Sequence, residues 1–363
     1  MTDTSTKPGA TTAGAKADYT VVSADVVEDR ARILALWRAG LTHNGMPEAK
    51  LDWFYRRNPE GVPDVYFLLH GNQREAVGVA AIGRRRMRFG SETLMTGELV
   101  DFVVLPSHRT LFPAMMLQRG MHRHALELGT HAILYGLPNS NSLPVVGRVG
   151  YRCVGQMVRC VRVLRLGEYL SRYVPARIGS VVGAVVDRVR LGAIALRRLA
   201  NSGFRAHWLT QPDARFDDLW RRCATPDVLM GVRDAAFLTW RFVDCPLRSH
   251  TFFTLVSTDD QRLVAYAVCE AREEVVHVRD FLVDPNTPGA WVRLWLDLSL
   301  ETFRQGYKSL SLEFLGGEHL RRRLDAAGMI AREKRPLYAF ALARWEGAMQ
   351  DRNWYLTSAD EDG

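Results

Sequence analysis

Residues 97–118 read Gly97-Glu98-Leu99-Val100-Asp101-Phe102-Val103-Val104-Leu105-Pro106-Ser107-His108-Arg109-Thr110-Leu111-Phe112-Pro113-Ala114-Met115-Met116-Leu117-Gln118. The unbroken apolar run 102–105 reads as a buried strand, and Pro106 stops it. Pro113 falls in the first turn of a helix, where a missing amide proton is tolerated. The order is strand, short loop, helix. Such a junction aims unpaired backbone N–H groups and the positive end of a helix dipole at one place, which suits a phosphate. Arg109 adds a cation to the same loop.

At these residues the chain resembles the GNAT superfamily of acyl-CoA-dependent N-acyltransferases. Their loop, after a strand ending in Pro, runs Arg/Gln-x-x-Gly-x-Gly/Ala and wraps the pyrophosphate of coenzyme A. Arg109 stands at the first position and Ala114 at the last, while Phe112 replaces the usual glycine and Pro113 withdraws one donor. Downstream, Asn139, Ser142, Gly150 and Tyr151 keep the register of a second family pattern, Asn-x-x-Ala-x-x-x-Tyr-x-x-x-Gly-Phe/Tyr. Val146 occupies the position of its proton-donating Tyr. The resemblance spans residues 20–165. It implies acetyl-CoA or a related acyl-CoA as co-substrate, gripped by Phe102, Val103, Val104, Leu105, Arg109, Thr110, Leu111, Phe112, Ala114 and Asn139.

An amine attacks a thioester only as the neutral base, so a carboxylate should stand near the acyl carbon. In this fold the base often comes from the strand before the Pro loop, which here holds Glu98 and Asp101. Three apart, they face opposite sides of a regular strand unless a bulge intervenes, and Glu98 is the expected base. A backbone N–H of the 102–105 strand would hold the developing oxyanion. Tyr151, or water, would return a proton to the thiolate. His122 and His124, two apart, share no helix face, so no metal site is expected.

The second half repeats these landmarks. Trp240 precedes Pro246 by the same six residues that separate Trp53 from Pro59, and Asp280-Phe281 and Pro285 mirror Asp101-Phe102 and Pro106. Ala327-Gly328-Met329 stands where Val149-Gly150-Tyr151 stood. This is an internal duplication. In the second loop Pro288 replaces Arg109, so the front copy is the expected cofactor binder and the rear copy a degenerate partner that shapes the acceptor site.

The fold class expected is α+β: two tandem GNAT-like mixed-sheet domains, 18–165 and 204–345, joined by a linker over 166–203. Residues 1–17 read as a disordered leader without a secretory core, and 346–363 as an acidic, solvated tail. Within the linker, Ile178, Val181, Val182, Val185 and Val189 share a helix face opposite Arg188, Arg190, Arg197 and Arg198. Too short to span a bilayer, segment 178–200 reads either as a helix packed across the domains or as a peripheral contact with an anionic membrane. Arg84, Arg85, Arg86 and Arg88 read as a solvated strand end.

Net charge is +8, yet only five of the 48 basic residues are lysine, so arginine-rich codon usage accounts for the balance and no nucleic-acid partner is expected. Five scattered cysteines indicate buried thiols in a reducing compartment, hence a cytoplasmic protein, with peripheral placement on the inner membrane face allowed by the linker. The acceptor expected is a small amine such as an amino-sugar or polysaccharide precursor. Two other readings stand beside this one: a catalytically degenerate acyl-CoA-binding scaffold, and a Fem-like transferase using aminoacyl-tRNA. Oligomeric state is not encoded in these patterns.

Overall fold

The computed structural model describes residues 19–41, 46–165, 202–223, 225, 227–349 and 354–362, with isolated positions between 186 and 198. The leader expected over 1–17, and the linker over 166–203 except for those positions and residues 202 and 203, lie outside the described residues.

The front copy runs β1 (Tyr19–Ala24), α1 (Arg30–Gly40), α2 (Pro47–Lys50), β2 (Asp64–His70), β3 (Glu75–Phe89) and β4 (Glu92–Val104). It continues with α3 (Leu111–Leu128), β5 (Ile133–Gly136), α4 (Leu143–Val149) and β6 (Arg152–Val163). The rear copy follows with β7 (Phe204–Leu209), α5 (Ala214–Cys223), β8 (Leu229–Gly231), α6 (Ala235–Leu238), β9 (Thr251–Ser257) and β10 (Leu263–Arg272). Then come β11 (Val275–Val283), α7 (Ala290–Arg304), β12 (Ser309–Leu315), α8 (Glu318–Ala326), β13 (Ile330–Ala341) and β14 (Trp354–Thr357). Among the described residues no helix is long and apolar enough to cross a membrane.

Both copies share one sheet. Its order is β1-β2-β3-β4-β5-β13-β6-β12-β11-β10-β9-β7. The closing strands are exchanged: β13 of the rear copy lies antiparallel beside β5, and β6 of the front copy lies antiparallel beside β12. The two exchanged strands also pair with each other at the centre. Each copy's edge is thereby covered by the other, which removes the exposed ladder that an isolated copy would carry.

The repeated Trp landmark sits at the junction. A π-helical turn follows α2 at Leu51–Arg56, and another follows α6 at Thr239–Val243. They bring Trp53 and Trp240 into a stack, with ring centroids 5.3 Å apart and planes 26° from parallel. Each indole N–H donates to the other residue's carbonyl, at 2.7 Å from Trp53 and 3.1 Å from Trp240. This reciprocal pair is the duplication expressed as a local two-fold.

Two sequence expectations need correction. Residues 354–360 are not a solvated tail. Trp354, Tyr355 and Leu356 are buried, and β14 pairs antiparallel with β12 and parallel with β8. Nor is the arginine run a solvated strand end: Arg85 is buried between Glu60 at 3.0 Å and Asp360 at 2.9 Å. An acidic end and a basic run each look solvated alone, and here they meet in the interior.

Candidate functional site

β4 and β5 pair in parallel only at Gly97↔Leu134 and Glu98↔Tyr135, then diverge. The opening is a cleft of about 970 Å³, walled by residues 99–104 of β4, the loop at Arg109 and Thr110, the inner face of α3, and Gly136, Pro138 and Asn139 after β5. Two residues of β4, Asp101 and Phe102, stand opposite the single Ala80 of β3, so the strand bulges here. Asp101 adopts φ +50, a left-handed conformation that Asp tolerates better than most residues. Asp101 lines the cleft at this bulge, while Glu98, three residues earlier, does not.

Most of the expected binding residues line this cleft: Phe102, Val103, Val104, Arg109, Thr110, Leu111, Ala114 and Asn139. Arg109 is braced by its Nε, which donates to the Val104 carbonyl at 3.1 Å. In the first turn of α3 the amides of Leu111 and Phe112 have no acceptor within the helix, and Pro113 has no amide proton. Asn139 Oδ1 accepts from the amides of Asn141 and Ser142, both at 3.0 Å, which shapes the turn into α4.

Four expected residues are placed elsewhere. Glu98 sits on the last paired rung of β4, opposite Tyr135, and is not in the cleft wall. Leu105 does not line the cleft, and its amide donates to Val77 at 2.8 Å. The Phe112 side chain is 55 % exposed, turned toward Tyr19 rather than into the opening, so the glycine replacement does not obstruct it. Tyr151 is buried under α3 with its ring against His122, and its hydroxyl meets no partner among the described residues. Burial pushes that hydroxyl far above the usual tyrosine range, and Tyr151 is not in the cleft wall. The Gly-Tyr step opens β6, whose apolar anchoring claimed the ring.

The cleft also holds residues the motifs did not point to. Gln118, one helical turn beyond Ala114, is 2 % exposed with its Oε1 unpartnered among the described residues. Arg148 of α4 and Asp362 complete the wall. Lys50 bridges Asp101 at 2.7 Å and Asp362 at 2.8 Å, and the Tyr55 hydroxyl donates to the other Asp101 oxygen at 2.6 Å. Burial opposes the Lys50 ammonium, but the two carboxylates outweigh it and its pKa is raised.

Glu98, at the last rung before the strands part, is held well above the ordinary glutamate value. Burial is the main cause, and Asp362 and Glu361 add to it against the Arg241 guanidinium. The equivalent opening between β11 and β12 is filled by the chain itself. There β14 takes the place beside β12, and Thr357 Oγ1 donates to Asp280 at 2.6 Å.

No family model matches the sequence, and no curated protein matches it. Solved structures do match in fold. A GCN5-related N-acetyltransferase from Anabaena variabilis superposes with a TM-score of 0.63 at 12 % identity, over 92 % of this chain and 75 % of that one. One from Kribbella flavida gives 0.61 at 14 % identity, over 93 % and 74 %. A tandem GNAT protein of the clavulanic acid biosynthesis pathway gives 0.54 at 13 % identity, over 89 % and 98 %. The chain has the fold of the GCN5-related N-acetyltransferases in its tandem form.

Proposed function

We propose that the chain transfers the acyl group of an acyl-CoA, acetyl-CoA in the first instance, to the nitrogen of a small amine such as an amino-sugar or polysaccharide precursor in the cytoplasm. One observation carries this reading: the β4–β5 opening has anion donors at its α3 end, and a carboxylate of raised pKa, Glu98, lies on the last paired rung, one residue before the cleft wall begins at Leu99. The residues present fit the cofactor. Arg109 and the amides of Leu111 and Phe112 suit a diphosphate, and the orphaned Gln118 Oε1 suits an amide N–H of a pantetheine arm lying along β4.

The bound thioester supplies an activated acyl carbon. Glu98 takes the proton that the attacking ammonium must lose, directly or through water; a raised pKa makes it a stronger base than an ordinary carboxylate. Lys50 and Tyr55 hold both oxygens of Asp101, which leaves that residue a positioning role for the bulge. With Tyr151 packed away, proton return to the thiolate falls to water.

Calorimetry with acetyl-CoA tests the first half: saturable binding, weakened about tenfold or more by Arg109→Ala, the scale of a lost charge-assisted contact. Thiol release with an amino-sugar panel, abolished in Glu98→Gln, tests the second. Val146 at the family's proton-donor position favours one other reading, an acyl-CoA-binding protein without turnover. Binding without thiol release across the panel would select it, and no acetyl-CoA binding at all would sink both.

A further inference from the structure

A second cavity lies against the segment that carries Asp362. We infer that this cavity, walled by Trp53, Arg241, Phe242, Arg248, His250 and Arg279, binds the anionic group of the acceptor, a carboxylate or phosphate. Its volume of about 30 Å³ exceeds the roughly 10–15 Å³ that one water requires and admits the oxygens of such a group. The side chains of Arg248 and Arg279, 27 % and 21 % exposed, form a rim reachable from solvent.

Donors outnumber acceptors here. Arg241 is buried, its Nε donating to the Ala359 carbonyl at 3.2 Å and its Nη2 to the Ser358 carbonyl at 3.0 Å and to the Glu361 carbonyl. Its Nη1 has no hydrogen-bond partner among the described residues. Glu270 receives Arg248 through Nη1 at 3.2 Å and Arg279 through Nε at 2.6 Å. That leaves both terminal nitrogens of Arg279, and Nε and Nη2 of Arg248, without a hydrogen bond among the described residues. Two guanidinium groups thus share one carboxylate at the rim, and a third lines the cavity from its buried side.

The surroundings respond as a positive cavity should. Burial and then Arg241 push His250 down to about 4, so it is neutral near pH 7 and the positive charge of the cavity comes from the arginines. Burial also lowers Arg241, with Arg279 adding to that against Cys245, Glu98 and Asp362. A bound anion would relieve this repulsion. The Trp53 ring, 5.3 Å from the Arg241 guanidinium carbon, offers an apolar wall to the acceptor's carbon skeleton.

Arg241 also links this cavity to the transfer site, because its charge opposes the upward shift of Glu98. On this assignment Arg241 would contact the acceptor's anionic group while its charge also bears on Glu98, the expected base. The assignment to an acceptor rests on the acyl-transfer reading; the anion site does not.

The test is calorimetry with inorganic phosphate and, separately, acetate, at constant ionic strength in chloride. It is run in Arg109→Ala so that the diphosphate loop does not contribute. Expected is saturable binding that weakens about tenfold or more in Arg279→Gln and in Arg248→Gln, with partial recovery in Arg279→Lys. Whichever ion binds more tightly names the group. No saturable binding, or binding unaffected by both substitutions, overturns the site. Because no acyl transfer is needed, this failure is distinct from a wild-type protein that does not bind acetyl-CoA. Thiol release with glucosamine and glucosamine 6-phosphate then tests the acceptor role. A phosphate preference that vanishes in Arg279→Gln supports it, and equal kcat/KM values in the wild type overturn it.

Discussion

Gln118 holds a buried carbonyl oxygen with no partner in the wall of the opening. An unmet acceptor of that kind costs about 1–3 kcal/mol, a penalty that a ligand N–H would remove. Gln118→Met keeps the shape and deletes the acceptor. Chemical denaturation of the ligand-free protein should therefore show a gain of about 1 kcal/mol, while acetyl-CoA affinity falls by about tenfold. A loss in both measurements would mean that Gln118 serves packing alone. Glu98 gives a pH signature. As the base it must be ionised, and since its pKa is raised, kcat/KM should climb with pH through a limb lying well above 4.5. Glu98→Gln should remove that limb together with the activity. Arg109, Ala114 and Asn139 were legible in the sequence because a phosphate loop is a local device, written in consecutive residues. Gln118 carried a faint signal, a lone amide one turn after Ala114 on an apolar helix face. Asp362 carried none, since it enters the wall through Lys50, 312 residues away.

Among elements, the segment 354–362 has the largest reach. Asp360 accepts from Arg85 at 2.9 Å and from Arg233 at 2.6 Å, all three buried, so one carboxylate balances a cation from each copy. Burial opposes its ionised form, but the two arginines outweigh burial and its pKa is lowered. The sign follows: a depressed folded pKa gives stability that is fully present above the ordinary aspartate range near 4, and lost as pH falls through the folded value. Asp360→Asn should cost about 3 kcal/mol at pH 7, because two buried guanidinium groups lose one of their two carboxylates, Arg85 keeping Glu60 and Arg233 keeping Asp280. The difference from wild type should shrink as the pH is lowered below about 4. A constant difference from pH 7 to pH 3 would assign the loss to packing instead. Composition read this segment as solvated because acidic residues usually are. Its partner Arg85 lies 275 residues away, a distance over which no periodicity in the chain reports.

For the whole molecule, the duplication was readable from landmarks at equal spacing, and the stacked Trp53 and Trp240 show why those landmarks recur. The strand exchange was not readable. β6 and β13 each follow a Gly-containing turn, and neither strand carries a local pattern that names the copy whose edge it joins. What the exchange changes is cooperativity. Separating the copies means breaking the β5–β13, β13–β6 and β6–β12 ladders and the Trp pair together. Denaturation followed by tryptophan fluorescence and by far-ultraviolet circular dichroism should therefore give one coincident transition. Residues 1–165 made alone keep β5 without its β13 neighbour and β6 without either of its own, an exposed ladder that favours aggregation. That fragment should be insoluble or unfolded, and co-expression with 166–363 should restore a soluble, acetyl-CoA-binding pair. A front fragment that folds alone and binds acetyl-CoA with the affinity of the full chain would show that the copies are independent and that the shared sheet contributes nothing to the cleft.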